Sequence, residues 1–190
     1  MEAAESGPPV EGIEGIERIE RIEVTRRFEA PAAAVFAVLT DPQGHVAIDA
    51  SGMLQSADGD PVRAVGDEFV VHMDRESLGD LDLGRYHVTV RITQYEQDRL
   101  LAWDVLGRLR PQIGHVYGYR LEPAADSTEG AETVGATLVT SFYDWSGIDP
   151  VWRERAAAGQ GIAFPIISAA NLRATLGILD RTVQRGYPRA

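Results

Sequence analysis

Between Phe164 and Pro188, apolar residues recur at three- and four-residue steps. Ala169, Leu172, Leu176, Leu179 and Val183 stack on one face of an α-helix, and that face demands an apolar surface to lie against. The spacing predicts a long terminal helix with a defined start and stop. Pro165 suits the first turn, where its missing N–H costs nothing, Gly186 can turn left-handed just past the end, and Pro188 forbids continuation. Ile167, Ala170, Ala174 and Ile178 lie on the opposite side of the first half. A second neighbour is expected there, a lid or another copy of the chain, so a homodimer is one candidate assembly.

Upstream the period changes. Ile22, Val24 and Phe28 alternate with Glu23, Thr25 and Arg27, the pattern of a strand with one buried face. Residues 29–49 carry two helices in succession. Pro31 opens the first, with Val35, Phe36, Val38 and Leu39 on its apolar side; Asp41 and Pro42 are cap and first residue of a shorter second one. Six further strands are predicted: Met53–Ser56, Glu68–Glu76, Arg85–Glu96, Leu100–Leu106, Gly114–Pro123 and Thr133–Trp145. Their connections are mostly short and rich in turn residues, which favours an antiparallel meander. Asp149 and Pro150 begin a short helix that Gly159 stops. A sheet of such long strands must curl, and the terminal helix is the large apolar element left to fill its concave face.

Residues 1–17 are acidic and lack aromatic side chains, a composition that cannot offset the entropy of ordering. A disordered tail is expected there, ahead of a single domain over residues 18–187. Ile13, Ile16, Ile19 and Ile22 recur every third residue, which fits neither helix nor strand, and a short tandem duplication accounts for them.

Charge and composition narrow the function. A net charge of -11 disfavours a nucleic acid or an anionic membrane as partner, since like charges repel. Cys is absent, which removes disulfides, thiolate metal sites and cysteine nucleophiles. All 18 basic residues are Arg, which removes Schiff-base chemistry, pyridoxal phosphate and the P-loop, each of which needs a Lys. No cofactor is expected. No apolar run is long enough to span a bilayer and the N-terminus is acidic, so neither membrane insertion nor secretion is expected and the chain reads as cytoplasmic.

The stretches EAPAAAVFAVLTDPQGHVAIDASG, VGDEF, ITQYEQDRLLAWDV, GYRLEPA, ATLVTSFYDWSG and LRATLGILDRTV, taken together, resemble the START and polyketide-cyclase superfamily called SRPBCC, related to the Bet v 1 helix-grip proteins. The resemblance runs from about Ile22 to Arg185. It implies an α+β helix-grip fold, with a seven-stranded antiparallel sheet curled around a long C-terminal helix and two short helices after the first strand. It also implies an apolar cavity opening near those helices and the loops. Members include cyclases and aromatases, lipid and hormone binders and co-chaperone domains, so membership alone names no activity.

Alternation along the strands suggests what lines such a cavity. Phe69, Val71 and Met73 share a face, as do Tyr86, Val88, Val90 and Ile92, which leaves His72 and His87 outside. Two outward histidines lack a third ligand at a recognisable spacing, so no metal site is expected. Leu101, Trp103 and Val105 form the bulkier face of the next strand, while the apolar Leu100, Ala102 and Leu106 leave its facing open. His115, Tyr117 and Tyr119 follow in line, apolar bodies with polar tips, suited to a partly polar ring-shaped ligand and equally to a core whose hydroxyls find backbone partners. In the last strand the facing is open, because Val139, Ser141 and Tyr143 compete with Leu138, Thr140 and Phe142. Tyr143 is a further candidate wall residue, and Leu172 and Leu176 would close the cavity from the helix. Trp152 is a candidate lid or a packing residue.

Catalytic candidates are sparse. His115 and Tyr117 have acid–base groups, and Asp144 is either a general base or an arginine partner at the cavity mouth. No nucleophile, base and orienter set is recognisable. The leading expectation is a carrier or sequestering protein for a small hydrophobic molecule, a lipid, polyketide or aromatic. The alternative is a cyclase or dehydratase acting on a substrate in the same cavity, and a third reading is a protein-interaction role on the outer surface.

Overall fold

In the computed structural model, residues 20–76, 79, 83–124 and 135–187 are described. The elements are β1 (Arg21–Phe28), α1 (Ala32–Thr40), α2 (Pro42–Ala47), β2 (Leu54–Asp58), β3 (Glu68–Asp74), β4 (Arg85–Glu96), β5 (Leu100–Leu106), β6 (Val116–Pro123), β7 (Thr137–Asp144), α3 (Pro150–Ala157) and α4 (Ala169–Gln184). The strands form one antiparallel sheet in the order β1-β7-β6-β5-β4-β3-β2. Hairpins join β2 through β7 as a meander, and β7 returns to pair with β1. On the inner face, α4 lies against β1 and β7, with α1 and α2 beside it. This is the helix-grip arrangement that the sequence predicts.

The face of α4 that carries Leu172, Leu176 and Leu179 is the one held. Leu176 and Leu179 are fully enclosed, and they share a core with Phe28, Phe36, Leu39, Leu121 and Val139. Burial of each such leucine contributes about 1.5–3 kcal/mol. Asp180 adds a polar clamp: Arg26 of β1 donates to it through Nε at 3.0 Å, and Gln184 donates to its other oxygen at 2.9 Å.

Several expected boundaries move. Helix α4 starts at Ala169 and not near Pro165, because Ser168 and Asn171 form a reciprocal capping box that satisfies the first-turn N–H groups. The four residues before Ser168 instead send Phe164, Ile166 and Ile167 against a second apolar cluster. At the other end Gly186 does adopt positive φ, +75°, and Pro188 lies outside the described residues. Strand β3 stops at Asp74, whose carboxylate turns the chain by accepting from the Glu76 N–H. Strand β2 is longer than expected, reaching Asp58 opposite Val70, and β6 begins only at Val116, after Gly114 with φ +84°. The helix cap at Asp41 is as read: its carboxylate accepts from Gln43 N–H at 2.9 Å. The expected boundary at residue 17, the isoleucines before Ile22 and the first residues of the predicted last strand lie outside the described residues.

Both faces of β7 are buried, which explains why its facing was open in sequence. Val139 and Tyr143 face inward. Phe142 points outward, where the Arg21 guanidinium lies 4.0 Å from its ring centroid. Gly118, opposite it on β6, makes the room: a Cβ there would meet the Phe142 ring and come within 2.8 Å of the Leu101 carbonyl oxygen.

Candidate functional site on the concave face

Register places one row of rings across the inner face. Trp103 of β5 pairs with Tyr117 of β6, Tyr117 with Tyr143 of β7, and Tyr143 with Ile22 of β1. Trp103 stacks on Tyr117 with centroids 6.3 Å apart and on Tyr119 at 6.0 Å, and Tyr117 meets Tyr143 at 4.9 Å. The row continues to Trp145 at one end, 5.4 Å from Tyr143. At the other end His45 of α2 packs edge-on against both Trp103 and Phe69, 4.8 Å from each. This row bridges the core beneath α4 and the second cluster, where Trp152 of α3 and Ile148 pack beside Tyr143. The Trp152 indole donates to the Pro111 carbonyl at 3.2 Å, so it serves as packing in this state.

Two kinds of wall residue separate. Phe69, Leu176 and Tyr143 are enclosed almost completely, and Leu172 nearly so; they are filling. Met73, Tyr86, Trp103, Val105 and Tyr117 also point inward but are only half-buried, which a sealed core would not allow. Tyr117 is the telling case. Among the described residues its hydroxyl has no hydrogen-bond partner, yet the one buried side-chain polar atom left unpartnered there is Thr93 Oγ1. The Tyr117 phenol is deep in the aromatic row, and its oxygen still keeps a small accessible surface.

Behind it stands a buried polar pair. His115 Nδ1 lies 3.2 Å from the Tyr143 hydroxyl. The Ile166 backbone also hydrogen-bonds this phenol, which partly offsets the effect of burial on it. Burial holds the imidazole neutral, down to about 4 against a small opposing pull from Asp104. Burial pushes the Tyr143 and Tyr117 phenols well above their ordinary value and Tyr119 up to about 12. His45 is likewise neutral through burial, down to about 4, with Nε2 2.8 Å from the Leu39 carbonyl. The site thus offers neutral donors and acceptors at ordinary pH.

Asp144 is elsewhere. It points to the outer face, where it accepts from Arg21 at 3.1 Å and from the Ser146 N–H at 2.9 Å and hydroxyl at 2.6 Å. Burial alone would raise its carboxyl, but those hydrogen bonds outweigh it and hold the group below its usual value. Of its two sequence readings, the arginine partner is the one its contacts support. His72 and His87 are register partners on the outer face, as expected; among the described residues no third ligand joins them, and His72 pairs with Asp58 at 2.7 Å.

Two depressions also lie around β3–β5, sharing His87 and Arg108; one is on the outer face of β4 and β5, and the other wraps the end of β3 and the start of β4, where Met73 and Tyr86 line it beside His72 and Asp74. Their walls include the ion pairs Arg91–Asp104 and Arg85–Asp74, the make-up of a solvated surface. Neither holds an apolar wall comparable to the inner row, which is the better candidate for an apolar ligand.

The family described as polyketide cyclase / dehydrase and lipid transport matches residues 20–183. The chain belongs to that family. An uncharacterized protein of Mycobacterium tuberculosis is 25% identical over 158 residues, 83% of this chain and 61% of that protein, so the chain spans less than two thirds of that relative. Truncated norcoclaurine synthase from Thalictrum flavum superposes with a TM-score of 0.55 at 13% identity, covering 86% of this chain and 92% of that one. The Aha1 dimer from Colwellia psychrerythraea does so with a TM-score of 0.51 at 13% identity, covering 88% and 98%. At such identities the structural likeness establishes the helix-grip fold alone. Within the described residues no helix is long and apolar enough to cross a membrane.

His45, Arg75 and Met53 escaped sequence reasoning as site residues. His45 lies in a helix too short to show a period. Arg75 continues the inward parity of Phe69, Val71 and Met73, which was its available signal. Its guanidinium reaches the Met53 sulfur at 3.1 Å, and the Tyr86 hydroxyl approaches the same sulfur at 3.9 Å.

Proposed function

We propose that the protein binds a small, largely apolar, ring-bearing molecule against the Trp103–Tyr117 row, as a carrier or sequestering protein. The observation that carries this reading is the Tyr117 hydroxyl, which keeps a small accessible surface among stacked rings and has no hydrogen-bond partner among the described residues. A ring system can stack on the row while one polar group of the ligand meets that hydroxyl. The test is a fluorescence titration with the neutral probe 1-pyrenebutanol. Saturable binding at one site, with the far-ultraviolet circular dichroism unchanged, supports the reading; linear, non-saturating uptake overturns it.

A second reading, a cyclase or dehydratase, rests on the His115–Tyr143 pair beside the row. Both groups are enclosed behind the row, so this reading requires the wall to open before a neutral imidazole and its phenol can pass a proton between substrate atoms. Its test is conversion of a β-polyketone to an aromatic product by the wild type and its loss in His115→Gln.

A further inference from the structure

The depression on the outer face of β4 and β5 is roofed by the loop that joins β5 to β6, and its volume of about 660 Å³ is in the range of small-molecule sites. Its chemistry is one-sided. Register sets Arg91 opposite Asp104, and that arginine takes up both carboxylate oxygens, donating to Oδ1 through Nε at 3.2 Å and to Oδ2 through Nη2. The remaining wall groups can all donate: the guanidinium groups of Arg108 and Arg110, the His87 imidazole and the Thr89 hydroxyl. Among the described residues Arg108 has no hydrogen-bond or ion-pair partner. Arg110 gives Nη1 to the carbonyl oxygens of Gly107 at 2.7 Å and Leu109 at 2.8 Å and has no carboxylate partner there either. Two positive charges thus stand at one depression without a counter-charge among the described residues. The loop that carries them is held in place. The Gln112 amide closes on Gly107, accepting from its N–H at 3.0 Å and donating to its carbonyl at 3.1 Å, while the Asp149 N–H donates to the Ile113 carbonyl at 3.1 Å. A ligand therefore meets arginines on a backbone that needs little further ordering, which lowers the entropy cost of binding.

We infer that this depression binds a phosphate group, free or carried on a small ester, between Arg108 and Arg110. Phosphate brings acceptor oxygens to donors that lack acceptors, and a guanidinium fork matches two of those oxygens at once. Two unmatched positive charges also suit a dianion better than a single carboxylate. His87 and Arg108 border the second depression as well, so the organic part of an ester has room beside Tyr86. The site is on the opposite face of the sheet from the aromatic row and stands independently of the proposed function. The general field of the protein opposes it, since a net charge of -11 repels anions. Saturable phosphate binding must therefore come from these local groups.

The experiment titrates the nitrogen-15-labelled protein with inorganic phosphate, glycerol 3-phosphate and acetate, at about pH 8 where the phosphates are dianions and at constant ionic strength set with sodium chloride, and follows the amide resonances. Phosphate should shift residues 87–91 and 106–112 saturably and bind about tenfold more tightly than acetate, the usual scale of one charge-assisted hydrogen-bonded contact. Arg108→Gln should weaken phosphate binding about tenfold and Arg108→Lys should keep part of it, whereas Arg173→Gln, at an exposed arginine of α4, should change it by less than about twofold. Tighter binding of glycerol 3-phosphate than of phosphate assigns the site to an ester, and equal binding assigns it to free phosphate. Shifts that do not saturate or lie elsewhere, equal affinities for phosphate and acetate, or equal losses in Arg108→Gln and Arg173→Gln overturn the inference. Circular dichroism identifies a misfolded variant, and Arg108→Lys then carries the comparison.

Discussion

His115 and Tyr143 are joined by a 3.2 Å contact between Nδ1 and the phenol oxygen, inside the wall behind the aromatic row. This pair couples β6, β7 and the chain before α4, since the Ile166 backbone also hydrogen-bonds the same phenol. The wall is therefore built from a neutral histidine, and its integrity depends on that neutrality.

Acid should loosen the fold through His115 and His45. Each ring titrates near 6.5 when unfolded and near about 4 when folded. Between those values the unfolded chain binds more protons, so stability rises with pH across the window. It is fully present above about pH 6.5 and lost as pH falls toward about 4. Each ring accounts for on the order of 3 kcal/mol across the window. Urea melts at several pH values should show a flatter dependence for His115→Gln than for the wild type; parallel curves would contradict the assignment.

Tyr117→Phe separates a pocket from a packed core. The change removes a hydroxyl that no protein group shares among the described residues, so stability should stay within about 0.5 kcal/mol. Affinity for a ring probe bearing a hydroxyl or carboxylate should fall. A loss of about 1–3 kcal/mol with unchanged binding is the outcome of a buried, paired hydroxyl, and it would remove Tyr117 from the site.

The grip of α4 depends on its apolar face. Leu176→Ala should cost about 2–5 kcal/mol, since Leu176 is fully enclosed, whereas Arg173→Ala on the exposed face should stay within about 0.5 kcal/mol. Denaturant titration reads both, and similar values would mean that the helix is held by another face.

Much of this architecture was legible because its signals are local. The alternation that placed Phe69, Val88, Trp103 and Tyr119 inside depends only on the two-residue period of a strand, and Asp41 with Pro42 marks a helix start by short-range chemistry. Where both faces of a strand are buried, as at Phe142 and Tyr143, alternation carries no information. The start of α4 was missed because Pro165 and Ser168 offer competing signals and the Asn171 side chain decides between them. The site was legible in its aromatic row but not in its polar edge. Arg75 lies past a strand end, Met53 precedes one, and His45 occupies a six-residue helix, so tertiary packing alone brings them to the row.

Val105→Trp tests most directly that the ligand lies on the concave face. Val105 points inward beside the row and is half-buried, so an indole there would fill the space assigned to the ligand. The account predicts that the variant keeps its melting temperature to within a few degrees and loses saturable 1-pyrenebutanol binding. Unchanged binding would place the ligand elsewhere, and a collapse of the melting temperature would mean that there is no open space to fill.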